Sequence, residues 1–108
     1  MAPIKFSIVI PTFNRQDLIL DTLATVFAQS YQNFEVLVVD NCSTDRTIDI
    51  LRPLESEGKI RLIRNERNYE RAYSRNVGMS HAKGDFLTFL DSDDYLYTDC
   101  LADALAFI

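Results

Sequence analysis

The chain has 108 residues, 47% hydrophobic and 25% charged, with three glycines and three prolines, a composition that fits one globular domain with its own core and excludes disordered or collagen-like sequence. A formal net charge of -5 repels polyanions and argues against nucleic acid as a partner. Cys42 and Cys100 stand in no CxxC or Cys/His spacing, so neither a disulfide framework nor a zinc site is expected and a reducing, cytoplasmic compartment is the simpler reading. The first residues lack the basic start and apolar centre of a secretory signal, and no apolar run approaches the ~20 residues of a membrane span. Attachment at the inner face of a membrane through segments outside this sequence stays open.

Phe6-Ser7-Ile8-Val9-Ile10 is a short β-branched apolar run ended by Pro11, which predicts a buried strand. Asn14 is the expected N-cap of a first helix, with Leu18, Ile19, Thr22, Leu23, Val26 and Phe27 on one face. Phe34 to Val39 predicts a second buried strand, and Asn41 to Thr44 the turn before a helix carrying Ile48, Leu51 and Leu54, which Pro53 ends or kinks. Lys59 to Arg64 alternates polar and apolar residues, the pattern of a half-exposed edge strand. A third helix is expected from Ala72 to Ala82 with Gly84 as terminator, a fourth strand over Phe86 to Leu90, and a last helical face over Leu101, Ala104, Leu105 and Ile108.

Strands alternating with helices predict an α/β fold, a doubly wound, mostly parallel, Rossmann-like sheet with right-handed crossovers and flanking helices. Ligands of such sheets bind beyond the carboxyl ends of the strands. The polar clusters Thr12 to Arg15, Asp40 to Thr44, Asn65 to Asn68 and Asp91 to Asp94 all fall there. The last helical pattern stops at Ile108 without a cap, which suggests a piece of a longer protein.

Asp91 and Asp93 follow an apolar strand, and hard carboxylate oxygens at that spacing suit Mg²⁺ or Mn²⁺, whose shell is completed by water and substrate phosphates. Capping of the last helix is the competing role. Asp40 and Asn41 are able to hydrogen-bond a base or ribose, or to serve only as turn residues. Phe13 either stacks on a base or belongs to the core. Six of the eleven basic residues, Lys59, Arg61, Arg64, Arg67, Arg71 and Arg75, offer positive potential to a small anion, unless Glu66 and Glu70 make them a solvated helix face. His81 reads as a surface residue. An EF-hand is excluded because its sixth and twelfth loop positions, counted from Asp91, hold Leu96 and Ala102. The three glycines form no P-loop or dinucleotide fingerprint.

Four motifs in register, Ser7-Ile-Val-Ile-Pro-Thr-Phe-Asn-Arg15, Val38-Val-Asp-Asn-Cys-Ser-Thr-Asp45, Arg75-Asn-Val-Gly78 and Phe89-Leu-Asp-Ser-Asp-Asp94, resemble glycosyltransferase family 2 over essentially the whole chain. The resemblance implies a GT-A-type fold, inverting sugar transfer from a nucleoside-diphosphate sugar, a Mn²⁺ or Mg²⁺ cofactor and a place in polysaccharide biosynthesis. By position it implies that residues 1-108 are the nucleotide-sugar-binding part of the domain. Pro11, Thr12 and Phe13 would line the base pocket, Asp40 and Asn41 would read base and ribose, and Asn68, Arg75 and Asn76 would frame the nucleotide. Asp91 and Ser92 would approach it, and Asp91 and Asp93 would ligate the metal. The general base is expected beyond Ile108, and the acceptor is a glycan, lipid-linked or other hydroxyl. Asn41 and Cys42 depart from the Asp and Gly that many members carry there. A non-catalytic nucleotide- or partner-binding module is the alternative, and an uncovered apolar face would favour an oligomer.

Overall fold

The computed structural model describes residues 3–108. Within them β1 (Phe6–Thr12), β2 (Phe34–Asp40), β3 (Arg61–Arg64) and β4 (Phe86–Phe89) alternate with α1 (Ile19–Phe27), α2 (Thr47–Ser56), α3 (Arg71–His81) and α4 (Cys100–Leu105). The four strands form one sheet in the order β3-β2-β1-β4, parallel at every pairing. Going from β1 through β2 to β3 the chain moves to one side, and β4 then returns to the other side of β1. The expected doubly wound α/β sheet is therefore present, and β3 lies at its edge as its alternating pattern required.

Alternation along the two central strands builds two cores. Phe6, Ile8 and Ile10 of β1 and Val36 and Val38 of β2 face Ile19, Leu23 and Val26 of α1, Leu51 of α2 and Leu101 of α4. Val9, Leu37 and Val39 point the opposite way, toward Val77 and Leu87, and α3 packs on β1 and β2 from that side. Both faces of the central strands are thus covered, which explains why their sequences are apolar almost throughout.

Helix α3 comes unusually close to the sheet. A Cβ built on Gly78 would lie 2.3 Å from Cγ1 of Val9, a side chain with no exposed surface. A glycine is required here for space. At the amino edge of the sheet, Glu35 gathers a polar network: its Oε2 accepts from Ser7 Oγ at 2.6 Å and from the Lys83 N–H, while Oε1 faces Arg61 Nη1 at 3.1 Å. The same guanidinium donates to the His81 carbonyl, and the Gly84 N–H donates to Ser7 Oγ.

Four local expectations change. Asn14 does not cap α1, which begins five residues later at Ile19 and has Leu18 before it. Pro53 lies inside α2 and does not end it; Pro53 and Asp49 are both exposed, so the carbonyl that loses its helical partner is on the solvent side of the helix. Gly84 is no helix terminator, because α3 stops at an extended Ala82. Its absent side chain instead leaves room for β1, since a Cβ there would meet Ser7 Oγ at 2.6 Å and the Lys5 carbonyl at 2.8 Å. The last helix is shorter than its apolar pattern, ending at Leu105.

Two predictions follow from this packing. Gly78→Ala overpacks α3 against Val9 and should lower stability by about 1–3 kcal/mol in urea unfolding, with part of the loss recovered in the Val9→Ala double variant. Burial disfavours the Glu35 carboxylate, yet the hydrogen bonds from Ser7, Lys83 and Arg61 outweigh it and hold its pKa below the ordinary value. A lowered folded-state pKa contributes stability above the unfolded-state pKa, and that stability is lost as pH falls through the folded value. Unfolding midpoints measured from neutral to acid pH should therefore fall across that window, with a shallower slope in Glu35→Gln.

Candidate functional site

The β1–β2 register pairs Phe6 with Phe34 and ends on Thr12 opposite Asp40, so the loops after both strands leave the sheet level with each other. Beside them open the loop between β3 and α3 and the loop after β4. Together they enclose a cleft of about 400 Å³ lined by Pro11, Thr12, Phe13, Arg15, Asn41, Asn68, Tyr69, Arg71, Ser74, Asp91, Ser92 and Asp93.

Side-chain to backbone bonds, more than apolar packing, shape its walls. Asn14, at φ 51°, accepts at Oδ1 from the Thr44 and Asp45 N–H groups at 2.8 and 3.3 Å and receives at its own N–H the Ser43 hydroxyl as acceptor at 2.9 Å. The residue expected to start a helix instead ties the first loop to the second. Asp45 accepts from Thr47 N–H and from Gln16 N–H at 2.9 and 3.3 Å. Burial works against its charge, but the bonds from Thr47 and Gln16 lower its pKa overall.

Asn41 performs the matching task on the other wall. Its Oδ1 accepts from the Tyr69 N–H at 2.9 Å and from Asn65 Nδ2 at 3.0 Å, while its Nδ2 donates to the Tyr69 carbonyl and to Asn68 Oδ1, each at 2.6 Å. One amide thus satisfies both backbone polar groups of Tyr69 in the β3–α3 loop, and Asn65 carries the tie on to Ser74 Oγ at 3.0 Å. Tyr69 in turn stacks on Tyr73 at 3.9 Å between ring centres and lies under the Arg67 guanidinium.

The floor after β4 hangs from α1. Thr22 Oγ1 donates to the Ser92 carbonyl, Thr25 Oγ1 accepts from Leu96 N–H, and Gln29 bonds both the Tyr97 carbonyl and the Leu101 N–H. Polar residues of α1 and Gln29, two residues past its end, therefore fix the segment that presents Asp91 and Asp93. Both carboxylates line the cleft and face arginines, Asp93 Oδ2 at 3.8 Å from Arg15 Nη2, itself on the cleft wall, and Asp91 Oδ1 at 4.0 Å from Arg75 Nη2, which lies outside the lining. Arg75 also lies over the Phe89 ring at 5.5 Å.

Of the residues singled out in the sequence, Pro11, Thr12, Phe13, Asn41, Asn68, Asp91, Ser92 and Asp93 line the cleft. Asp40, Arg75 and Asn76 do not. Asp40 is fully buried, with one oxygen accepting from Ser43 N–H at 2.9 Å and the other from Ser43 Oγ, so its carboxylate is spent within its own turn. Arg75 stands behind Asp91, and Asn76 is exposed on α3. The structure adds Arg15, Tyr69, Arg71 and Ser74. Arg15 belongs to a polar cluster and Arg71 to the basic segment already marked in the sequence, whereas Tyr69, at the end of the β3–α3 loop, and Ser74, near the start of α3, are announced by no local pattern. Among the described residues, no group of three or more His, Cys, Asp or Glu side chains is placed to hold a metal ion, and no helix is long and apolar enough to cross a membrane.

A parallel sheet in the order β3-β2-β1-β4 with a polar cleft at its carboxyl edge and an acidic pair after β4 is a GT-A-type arrangement. Residues 7–108 match the sequence profile of glycosyl transferase family 2, and the chain belongs to that family. It is 38% identical over 107 residues to the poly(ribitol-phosphate) β-N-acetylglucosaminyltransferase TarS of Staphylococcus aureus, covering 96% of this chain and 19% of that protein. The crystal structure of S. aureus TarS 1-349 in complex with UDP-GlcNAc superposes with a TM-score of 0.85 over 96% of this chain and 31% of that one. It is 38% identical over 111 residues to the amylovoran biosynthesis glycosyltransferase AmsB of Erwinia amylovora, covering 100% of this chain and 37% of that protein. The mannosyltransferase PcManGT of Pyrobaculum calidifontis in complex with GDP-Man and Mn²⁺ superposes at 0.84, with 29% identity, over 93% of this chain and 31% of its own. The chain thus spans less than half the length of each of these relatives.

The bracketing by Asn41 makes a prediction. In Asn41→Asp the Tyr69 carbonyl and Asn68 Oδ1 lose their donor and face a carboxylate, which should cost about 1–3 kcal/mol in denaturant unfolding. Amide hydrogen exchange should quicken over residues 65–70 while the central strands keep their protection.

Proposed function

We propose that this chain is the donor-binding part of a glycosyltransferase that moves a sugar, with inversion, from a nucleoside-diphosphate sugar to an acceptor hydroxyl. The observation that carries it is the convergence of the family motifs on one cleft whose inner wall holds an unspent donor. Thr12 is 3% exposed, and its Oγ1 is buried without a hydrogen-bond partner among the described residues, a costly state for a hydroxyl unless a ligand completes it. The size of the cleft falls within the range of small-molecule sites.

In this reading Pro11, Thr12 and Phe13 form the wall against base and ribose, Thr12 Oγ1 supplies a hydrogen bond, and Asn68 presents its amide from the opposite loop. Asp40 and Asn41 act on the nucleotide through the loops they hold. Arg71 and Arg15 give the cleft positive potential for phosphates, and Arg75 stands beside Asp91. Asp91 and Asp93 fit a divalent cation: both side chains are about half exposed at a strand end, and neither is committed to a hydrogen bond. One or two carboxylates are what Mg²⁺ or Mn²⁺ takes from a protein when phosphates complete the shell. Such an ion, when bound, offsets the charge of the departing nucleoside diphosphate. PcManGT, whose solved structure is a complex with GDP-Man and Mn²⁺, supports the assignment.

The remaining chemistry is activation of the acceptor. With the two acids of the cleft assigned to the metal, we assign the general base to sequence beyond Ile108. The acceptor is a glycan, a lipid-linked sugar or another hydroxyl, as the polymer-building names of TarS and AmsB support. Two free cysteines fit a cytoplasmic location.

Titration calorimetry with UDP, GDP and dTDP, each with Mn²⁺ or with chelator, tests the reading. One nucleotide should bind in a metal-dependent manner, with affinity falling at least about tenfold, the equivalent of ~1.4 kcal/mol, in Asp93→Ala. Binding of none of the three would overturn it. Binding that ignores both chelator and Asp93→Ala would leave a nucleotide-binding module and remove the metal-assisted transfer.

A further inference from the structure

We propose that Arg15 is an exchangeable counter-ion, paired with Asp93 in this structure and passed to the diphosphate of a bound nucleotide when a divalent cation takes the carboxylate. The inference rests on the donor-binding reading above and adds to it a residue and a coupling.

Three observations carry it. The Arg15–Asp93 pair is long, 3.8 Å, and its side chains are 38% and 47% exposed. A pair of that length is an ion pair without a hydrogen bond, weakly held and readily exchanged. Second, Arg15 lines the cleft, and its Nε, like that of Arg75, is buried without a partner among the described residues, so Arg15 is the residue that combines unspent donors with a place on the cleft wall beside Asp93. A planar fork with free N–H groups matches phosphate oxygens better than it matches one distant carboxylate oxygen. Third, the backbone of Arg15 is anchored while its head is not. Its N–H donates to Thr47 Oγ1 at 2.9 Å, and its carbonyl accepts from Leu18 and Ile19 N–H groups at 3.0 and 2.9 Å. The side chain is therefore free to change partners from a fixed root.

The charge balance gives the exchange its direction. Asp91 and Asp93 face Arg75 and Arg15, and Arg71 also lines the cleft. A divalent cation held by the two carboxylates releases the arginines from their partners and crowds positive charge into the cleft. A diphosphate relieves that crowding. Arg75 pairs at the longer distance of 4.0 Å, but it lies over the Phe89 ring and outside the cleft lining, whereas Arg15 lines the cleft with no such ring contact and is the one assigned to move. Cation and diphosphate then each strengthen the other's binding, a coupling that is reciprocal by thermodynamic necessity.

The signature is an opposite change in two affinities. Mn²⁺ alone should bind Arg15→Gln about two- to fivefold more tightly than the wild type, because a competing cation is gone. The nucleoside diphosphate that binds the wild type best among UDP, GDP and dTDP should bind Arg15→Gln with saturating Mn²⁺ about tenfold more weakly. The matching monophosphate should change less than about twofold. Arg15→Lys, which keeps the charge without the fork, should restore Mn²⁺ affinity toward the wild type and diphosphate affinity only in part. Free Mn²⁺ followed by paramagnetic resonance, with calorimetry for the nucleotides and thermal unfolding as the check on folding, reads all of these. Weakening of both affinities together, or change in neither, overturns the exchange while leaving the donor-binding reading intact. Failure of the wild type to bind any nucleoside diphosphate overturns both.

Discussion

The parallel ladder between β1 and β2, seven residues long and ending with Thr12 beside Asp40, sets the height of everything that follows. Asn41 N–H donates to the Thr12 carbonyl and Asn65 N–H to the Asp40 carbonyl, each at 2.8 Å, so the ladder pattern runs one step past the strands and into the loops. A shift by one residue would turn Ile8 and Ile10 out of the larger core and carry Thr12 away from the cleft. Close packing of both faces against helices forbids that shift. The site inherits its precision from the core beneath it.

Above the ladder, rigidity passes from apolar contact to hydrogen bonds that join loops distant in sequence. Asn14 ties the first loop to the second, Asn41 the second to the third, and Thr22 and Thr25 of α1, with Gln29 just beyond it, suspend the fourth. Each tie uses an amide or hydroxyl to satisfy backbone groups that would otherwise need water. The side chains that project into the cleft, Phe13, Asn68, Arg71 and the two aspartates, are thus supported by residues that need never touch a ligand. Side chains of the first group can change while the second holds the frame, and the similar structures of TarS and PcManGT are complexes with different nucleotide sugars, UDP-GlcNAc and GDP-Man.

Much of this was legible in the sequence. Apolar runs identified β1 and β2, which are buried on both faces, and also β4, although β4 is the other edge of the sheet and leaves Phe86 and Phe89 exposed; alternation marked β3 as an edge, where Leu62 and Ile63 are only partly buried, one toward each core. The polar clusters at the carboxyl ends located the cleft. What local pattern could not give was the partner of each polar residue. Asn14 followed by Asp17 has the chemistry of a helix start, but Asn14 spends its side chain on residues 30 and 31 positions away. Asp40 looked available for a ligand, and its own turn consumes it. Thr22 reads as one of the apolar-face positions of α1, yet its hydroxyl holds Ser92 in place. Tyr69 and Ser74 belong to no polar cluster or motif of the sequence: Tyr69 is held at the cleft by its long-range bonds to Asn41, and Ser74 comes there through the packing of α3 on the sheet.

Cys42 adopts a left-handed backbone, φ 63°, between the Asp40–Ser43 turn and the bracket formed by Asn41. A side chain with a Cβ carries a steric cost of roughly 1–2 kcal/mol in that conformation, and it persists here because bonds on both sides leave the chain no other path. Part of the stability these networks confer is therefore spent on an unfavourable torsion at a residue outside the cleft lining. Position 42 is consequently a place where the protein can be made more robust without altering what the cleft presents, since glycine at this point would remove the clash and leave both flanking networks in place.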